Sequence, residues 1–439
     1  MDKLKYLLLI LLCFLVYSNC LNNAFLSDDI PAIKDNPTIS KIEWLNPYNT
    51  LNSLCYRIGG NNPFVYHLTS ILLHSLACIL VYKFLKTLFS EQASLLGASL
   101  FGVHSVHTEA VTWISGKPYI IIAILALGIY FLCRKGIRNY IFALLLFTYF
   151  CISSVYQALL VGAFVVMTGL VMKKISFKKC IPFALIPIVN LFIQKGVALG
   201  RISYVAQEIG TTKWTNPINN MAYSIFEHLR LLVYPAKLTL YHEPPVITPL
   251  ALKVELIIMA LIIPFLPFLW KRARVVFYAL SVFVLCLGVT FSPVMVAWLV
   301  AERYLYLATI SLCIILCYLY EKFKDKKIST YAFVLLIAIL SVRTVARNED
   351  WKNANTFWKQ TITVSPFSPQ ARNNLGDMYA QEGNIEMAKL EFSNSIRLRP
   401  QYAQAYHNLA VCYQRQGKTE EAQTLVKYAL ALNPKLYEK

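Results

Sequence analysis

The chain has 439 residues, of which 57% are hydrophobic and 15% charged, and its mean hydropathy is +0.51. That balance excludes an ordinary soluble globular protein and describes a polytopic membrane protein. Forty-two Lys and Arg against 23 Asp and Glu leave a net charge of +19, which in a membrane chain sets orientation before it suggests nucleic acid. The 11 cysteines lie mostly inside apolar runs, with no CxxC pair, so neither a disulfide framework nor a zinc site is expected.

Apolar runs long enough to cross the bilayer fall near 5–24, 64–86, 93–113, 117–133, 139–154, 156–172, 180–195, 251–270, 274–291, 304–320 and 330–346. The first follows Lys3 and Lys5 and ends in Tyr17-Ser18-Asn19-Cys20, a poor cleavage site, so it is read as an uncleaved helix. About 11 spans place the termini on opposite faces. Basic clusters at Lys3/Lys5, Lys83/Lys86, Arg134/Lys135/Arg138, Lys173/Lys174/Lys178/Lys179, Lys271/Arg272/Arg274 and Lys322/Lys324/Lys326/Lys327 all fall on one side. By the positive-inside rule that side is cytoplasmic, with the N-terminus, and the C-terminus is exoplasmic. Residues 217–240 are interrupted by Glu227, His228, Arg230 and Lys237, and read as an amphipathic helix on the exoplasmic surface. The organisation expected is an all-α membrane domain over 1–346, with exoplasmic loops near 25–63 and 196–250, and an exoplasmic domain over 347–439.

The last segment repeats with a period of 34 residues. Ala371/Ala405, Asn374/Asn408, Leu375/Leu409, Tyr379/Tyr413, Gly383/Gly417 and Ala388/Ala422 fall in register, as do Pro366, Pro400 and Pro434. This is the signature of tetratricopeptide repeats, an α-solenoid of helix pairs. Residues 351–365 fit only the second helix of a preceding unit, and so short an array needs support from the membrane domain or a partner chain. Such repeats offer a groove to extended peptides, or else mediate oligomerisation.

Polar residues gather at the exoplasmic ends of spans. Ser27-Asp28-Asp29-Ile30 follows the first helix; two adjacent carboxylates near low dielectric suit a general base, or merely a solvated cap. His104, His107 and Glu109 form a dense set that reads as hydrogen bonding to a polar substrate in preference to a metal site. His67 and His74, seven apart on one helix, share a face and either line the same cavity or bond between helices. Glu302-Arg303 opens the tenth span, as a phosphate-binding arginine or an internal ion pair.

Taken in order, these pieces resemble the GT-C superfamily of membrane glycosyltransferases, and within it the TMTC-type O-mannosyltransferases and their bacterial relatives. The residues that carry the resemblance are Asn23 to Asp29, Pro63 to Leu68 with Leu73-His74, His104 to Val111, Ala301 to Leu307, and the repeats. Ser105 stands where that family usually has proline, and the array is shorter than in eukaryotic members. The resemblance implies a polyprenyl- or dolichyl-phosphate sugar as donor, a hydroxyl of an exported protein as acceptor, and inversion at the anomeric carbon; the residues themselves do not favour a metal, and no cofactor is expected. The resemblance also implies Asp28 or Asp29 as base, and Arg303 as the cation facing the departing phosphate. Glu302, His104, His107, Glu109, His67 and His74 would bind substrate. The repeats are similar to those of the O-linked N-acetylglucosamine transferase, which implies Asn374 and Asn408 as groove residues gripping the acceptor peptide. A cell-envelope glycolipid or polysaccharide is the alternative acceptor, and a non-enzymatic scaffold the alternative role. Short loops and the absence of an Asn-x-Ser/Thr acceptor favour a bacterial inner membrane over the endoplasmic reticulum.

Overall fold

A computed structural model describes residues 2–194, 217–242, 249–290 and 298–434, with residues 196 and 436. The remainder of the expected exoplasmic loop 196–250 lies outside the described residues. Among the described residues every regular element is a helix, as a lipid-embedded backbone that must satisfy its own hydrogen bonds requires. Among the described residues seven helices are long and apolar enough to cross a membrane: Asp2–Cys20, Pro63–Leu85, Ile114–Cys133, Val155–Met172, Lys253–Arg272, Glu302–Lys322 and Lys326–Asp350. They coincide with seven of the expected spans. The other four appear as shorter helices, Glu91–Val103, Ile137–Ser153, Phe177–Ile193 and Arg274–Cys286. The expected span 93–113 ends early because the chain turns at His104, whose extended backbone (ψ 126°) caps a short 3-10 turn.

Helices pack closely where side chains are small. A Cβ on Gly162 would meet the Phe183 carbonyl and ring of Phe147, so Val155–Met172 and Phe177–Ile193 approach backbone to backbone. Three of the basic segments, at Lys3/Lys5, Lys83/Lys86 and Lys322 to Lys327, are brought together at one end of the bundle. Lys5 pairs with Glu91, Lys86 lies 2.9 Å from Asp2, and Ser90 N donates to Glu321 at 2.9 Å.

The opposite end carries the repeats. The last membrane helix does not stop at the expected boundary of 346 but runs to Asp350, because its final turn is buried and bonded. Asn348 Nδ2 donates to Val16 O (2.9 Å) and Asn19 Oδ1 (2.8 Å), its Oδ1 accepts from Thr112, and its carbonyl accepts from Asn23. Helix Ala354–Val364 follows, then the pairs Pro369–Gln381/Ile385–Leu398 and Ala403–Arg415/Thr419–Leu432. Gly383 (φ +81°) and Gly417 (φ +74°) take the left-handed turn between the helices of each pair. Ala371, Ala405 and Ala388 are fully buried where the helices cross. The support expected for this short array comes from the membrane domain. Leu26, Trp113, Leu240 and Tyr241 form one apolar cluster with Trp351, Phe357, Trp358, Leu375 and Met378.

Candidate functional site

The loop after the first helix separates its two carboxylates. Asp29 is 1% exposed and Asp28 is open to solvent. Asp29 Oδ1 accepts from Ser115 N (2.8 Å) and Ser115 Oγ (2.5 Å), and its Oδ2 accepts from Leu26 N (3.1 Å). These bonds lock the loop to the turn that begins helix Lys117–Cys133. Ser27, just before Asp28, has φ +50°, a left-handed conformation that costs a non-glycine residue of order 1 kcal/mol or more. The strained turn aims Asp28 outward while Asp29 holds it from behind.

Burial pushes the Asp29 carboxyl up to about 6, against the lowering effect of its Ser115 and Leu26 donors and of Lys117. A raised folded value means that folding favours the protonated acid. The stabilisation is therefore complete below the unfolded value, roughly 4, and is lost as pH rises through about 6. Wild type is expected to lose up to about 3 kcal/mol relative to Asp29→Asn between pH 4 and 7. Thermal unfolding of both proteins across that range checks it.

Glu109, fully buried, accepts from the Arg303 backbone N at 2.7 Å and pairs with the Arg303 guanidinium. That guanidinium lies over the rings of Trp113 (6.0 Å) and Tyr304 (5.3 Å) and keeps a tenth of its side chain exposed. Glu302, also fully buried, accepts from Thr239 N and lies 3.3 Å from His242 Nε2 and 3.5 Å from Arg347 Nη2. Of the two readings of Glu302-Arg303, the internal ion pair is the one formed, with Glu109 as the acid rather than the adjacent Glu302.

The four candidate histidines lie inside the bundle. His74 binds the Tyr306 hydroxyl (2.7 Å) and the Gly102 carbonyl (2.9 Å), His104 the Leu232 carbonyl (2.9 Å), His107 the Thr309 hydroxyl (3.0 Å) and His67 the Asn23 carbonyl (3.0 Å). All four are 0–1% exposed. A buried imidazole is met by whatever faces it, here other parts of the chain, but Nδ1 of His67 and Nδ1 of His107 have no hydrogen-bond partner among the described residues. The structure also groups Cys13, His74 and Cys78, with ligand atoms within 4.8 Å of one another. Both His74 nitrogens already have hydrogen-bond partners there.

The two repeat asparagines also have partners. Asn374 Nδ2 donates to the Tyr241 hydroxyl at 3.0 Å, and Asn408 Nδ2 to Asn373 Oδ1 at 3.1 Å while accepting from Gln404. Tyr241 is held between Trp298 (4.5 Å) and Trp358 (6.0 Å), its carbonyl accepts from Ser365 Oγ at 2.7 Å, and it faces Asp28 and Arg303. Asn374 thus ties the array to Tyr241. Tyr241→Phe is expected to cost about 1 kcal/mol, and Asn374→Ala added to it little more. A double-mutant cycle on unfolding measures that coupling.

Models of the tetratricopeptide repeat family match residues 376–417 and 403–436. Protein O-mannosyl-transferase F38B6.6 of Caenorhabditis elegans is 24% identical over 89% of this chain and 62% of its own length. Over most of its length the chain is a relative of TMTC-type protein O-mannosyl-transferases. Protein O-mannosyl-transferase TMTC3 of Homo sapiens is 23% identical over 85% of this chain and 49% of its own. Tmtc2 of Drosophila melanogaster reaches 34% over 24% of this chain. The chain spans 62% and 49% of the first and second of these relatives. No solved structure matches it.

Residues that the sequence reading missed complete the site: Ser115, Lys117, Asn52 and Tyr241. Only Lys117 carried a signal, as a lysine heading a span at the end otherwise poor in cations.

Proposed function

We infer that this chain is an integral-membrane glycosyltransferase that moves a mannose-type hexose from a polyprenyl-phosphate donor to a Ser or Thr hydroxyl of an exported protein, with inversion. The observation that carries the reading is the pair Asp28/Asp29, one carboxylate open on a strained turn and the other buried behind it, beside the repeat array. Its relatives, named protein O-mannosyl-transferases, support it.

Asp28 acts as the base. It takes the proton of the acceptor hydroxyl as that oxygen attacks the anomeric carbon. The bond from that carbon to the phosphate oxygen breaks with its electron pair on phosphate, and the centre passes through an oxocarbenium-like state. Asp29 positions the turn. Arg303, its charge answered by Glu109, forms the wall opposite and keeps that wall rigid.

Mass spectrometry of exported proteins from cells with and without this chain tests the reading. Hexose on Ser or Thr of exported proteins, absent without the chain, is the expected result. A labelled product that survives protease digestion would assign the acceptor to glycolipid or polysaccharide instead.

A further inference from the structure

Lys117 is 0% exposed, yet its Nζ meets one hydrogen-bond acceptor among the described residues, Asn52 Oδ1 at 3.3 Å, and lies 5.0 Å from the centre of the Tyr66 ring. An ammonium has three donors and a charge, and out of water it costs several kcal/mol unless paired. Asp29, which faces it, has both oxygens committed to Ser115 and Leu26. Three more buried polar atoms at this spot lack a hydrogen-bond partner among the described residues: Asn52 Nδ2, Tyr48 OH and His67 Nδ1. Tyr48 OH lies against Ser115 and Asn52, and His67 against Lys117.

The unspent groups are chiefly donors. Lys117 has two N–H bonds left, Asn52 Nδ2 has two and Tyr48 has one, and the cluster sits at the first turn of helix Lys117–Cys133, where partial positive charge collects. A donor-rich, cation-bearing cluster of this kind suits an oxyanion. Its cover points to the source of that anion. Helix Pro47–Gly59 turns Tyr48 and Asn52 inward and exposes Leu54 (44%) and Ile58 (79%) on its other side, beside Trp44 (69%). An apolar strip outside and a polar seat beneath fit a lipid whose head enters and whose chain lies along the helix.

We propose that Lys117, Asn52 and Tyr48 seat the phosphate of the lipid-linked sugar donor, beside the Asp28/Asp29 turn. The seat takes a phosphate monoester or diester on an isoprenoid chain, and it rests on the glycosyltransferase reading above. It also supplies the cation that the departing phosphate needs, which the Glu109-paired Arg303 does not.

The full chain in nanodiscs tests the seat with undecaprenyl phosphate carrying no sugar, with undecaprenol and inorganic phosphate as the other arms. Wild type and Lys117→Arg are expected to bind undecaprenyl phosphate at least tenfold more tightly than either control. Lys117→Gln is expected to lose at least tenfold. Asn52→Asp places an anion beside Lys117, so it should unfold at no lower temperature than wild type and yet lose binding by at least as much. Equal binding by Asn52→Asp and wild type overturns the seat, as does wild type binding none of the three. Inorganic phosphate binding as tightly as the lipid overturns the lipid source. Lipid phosphate binding without hexose transfer would sink the enzymatic reading and leave the seat standing, whereas unaltered transfer by Asn52→Asp would sink the seat alone.

Discussion

Asp28→Asn is expected to lower hexose transfer by a factor of about 10² to 10⁴, the usual contribution of a positioned general base, with no loss of folded protein. Asp28 can carry this role because it is exposed and its nearest bond is a long one, from Ser27 Oγ at 3.4 Å. An amide there preserves shape and removes the proton acceptor. Asp29→Asn should behave differently. An amide has one carbonyl oxygen, whereas Asp29 accepts from three donors through two oxygens, so at least one donor faces the new NH₂ group. That change is expected to loosen the turn, lowering unfolding temperature and transfer together. Parallel assays of transfer rate and thermal unfolding separate the two aspartates. Equal rates for Asp28→Asn and wild type would remove Asp28 from the chemistry.

The second large effect is at Glu109. Its carboxylate is fully buried and holds both the backbone and the guanidinium of Arg303. Glu109→Ala strands a cation with a tenth of its side chain exposed, and breaking a buried pair from one side costs about 3–5 kcal/mol. A fall in unfolding temperature and in folded yield is expected. Adding Arg303→Met to Glu109→Ala should recover part of that stability, because no buried charge is then left unpaired, but transfer should stay low. Were Glu109→Ala as stable as wild type, the ion pair would not hold this wall of the site.

The features visible in the sequence are those fixed by local rules. The 34-residue register of Gly383/Gly417 and Ala371/Ala405 follows from turn conformation and helix crossing, which each repeat must solve alone. Seven spans follow from length and hydropathy. The site was legible as a set of residue types but not as roles. Asp28 and Asp29 are identical in sequence, and only the Ser115 turn, 86 residues on, makes one exposed and one buried. Glu109 reads as a neighbour of His107, yet its partner Arg303 is 194 residues away. His74 and His104 carry the right chemistry for a substrate site, but long-range bonds to Tyr306, Gly102 and Leu232 occupy them. Tyr241 lay in a loop with no periodicity to mark it, and its importance arises from three tertiary contacts, with Trp298, Ser365 and Asn374.

The most direct test of the account is transfer of labelled mannose from synthetic polyprenyl-phosphate mannose to a Ser/Thr-containing peptide by the purified full chain, wild type beside Asp28→Asn. The account predicts protease-sensitive labelled product of inverted anomeric configuration with wild type and a loss of at least a hundredfold with Asp28→Asn. Labelled peptide made equally well by both proteins, or no transfer by well-folded wild type, would contradict it.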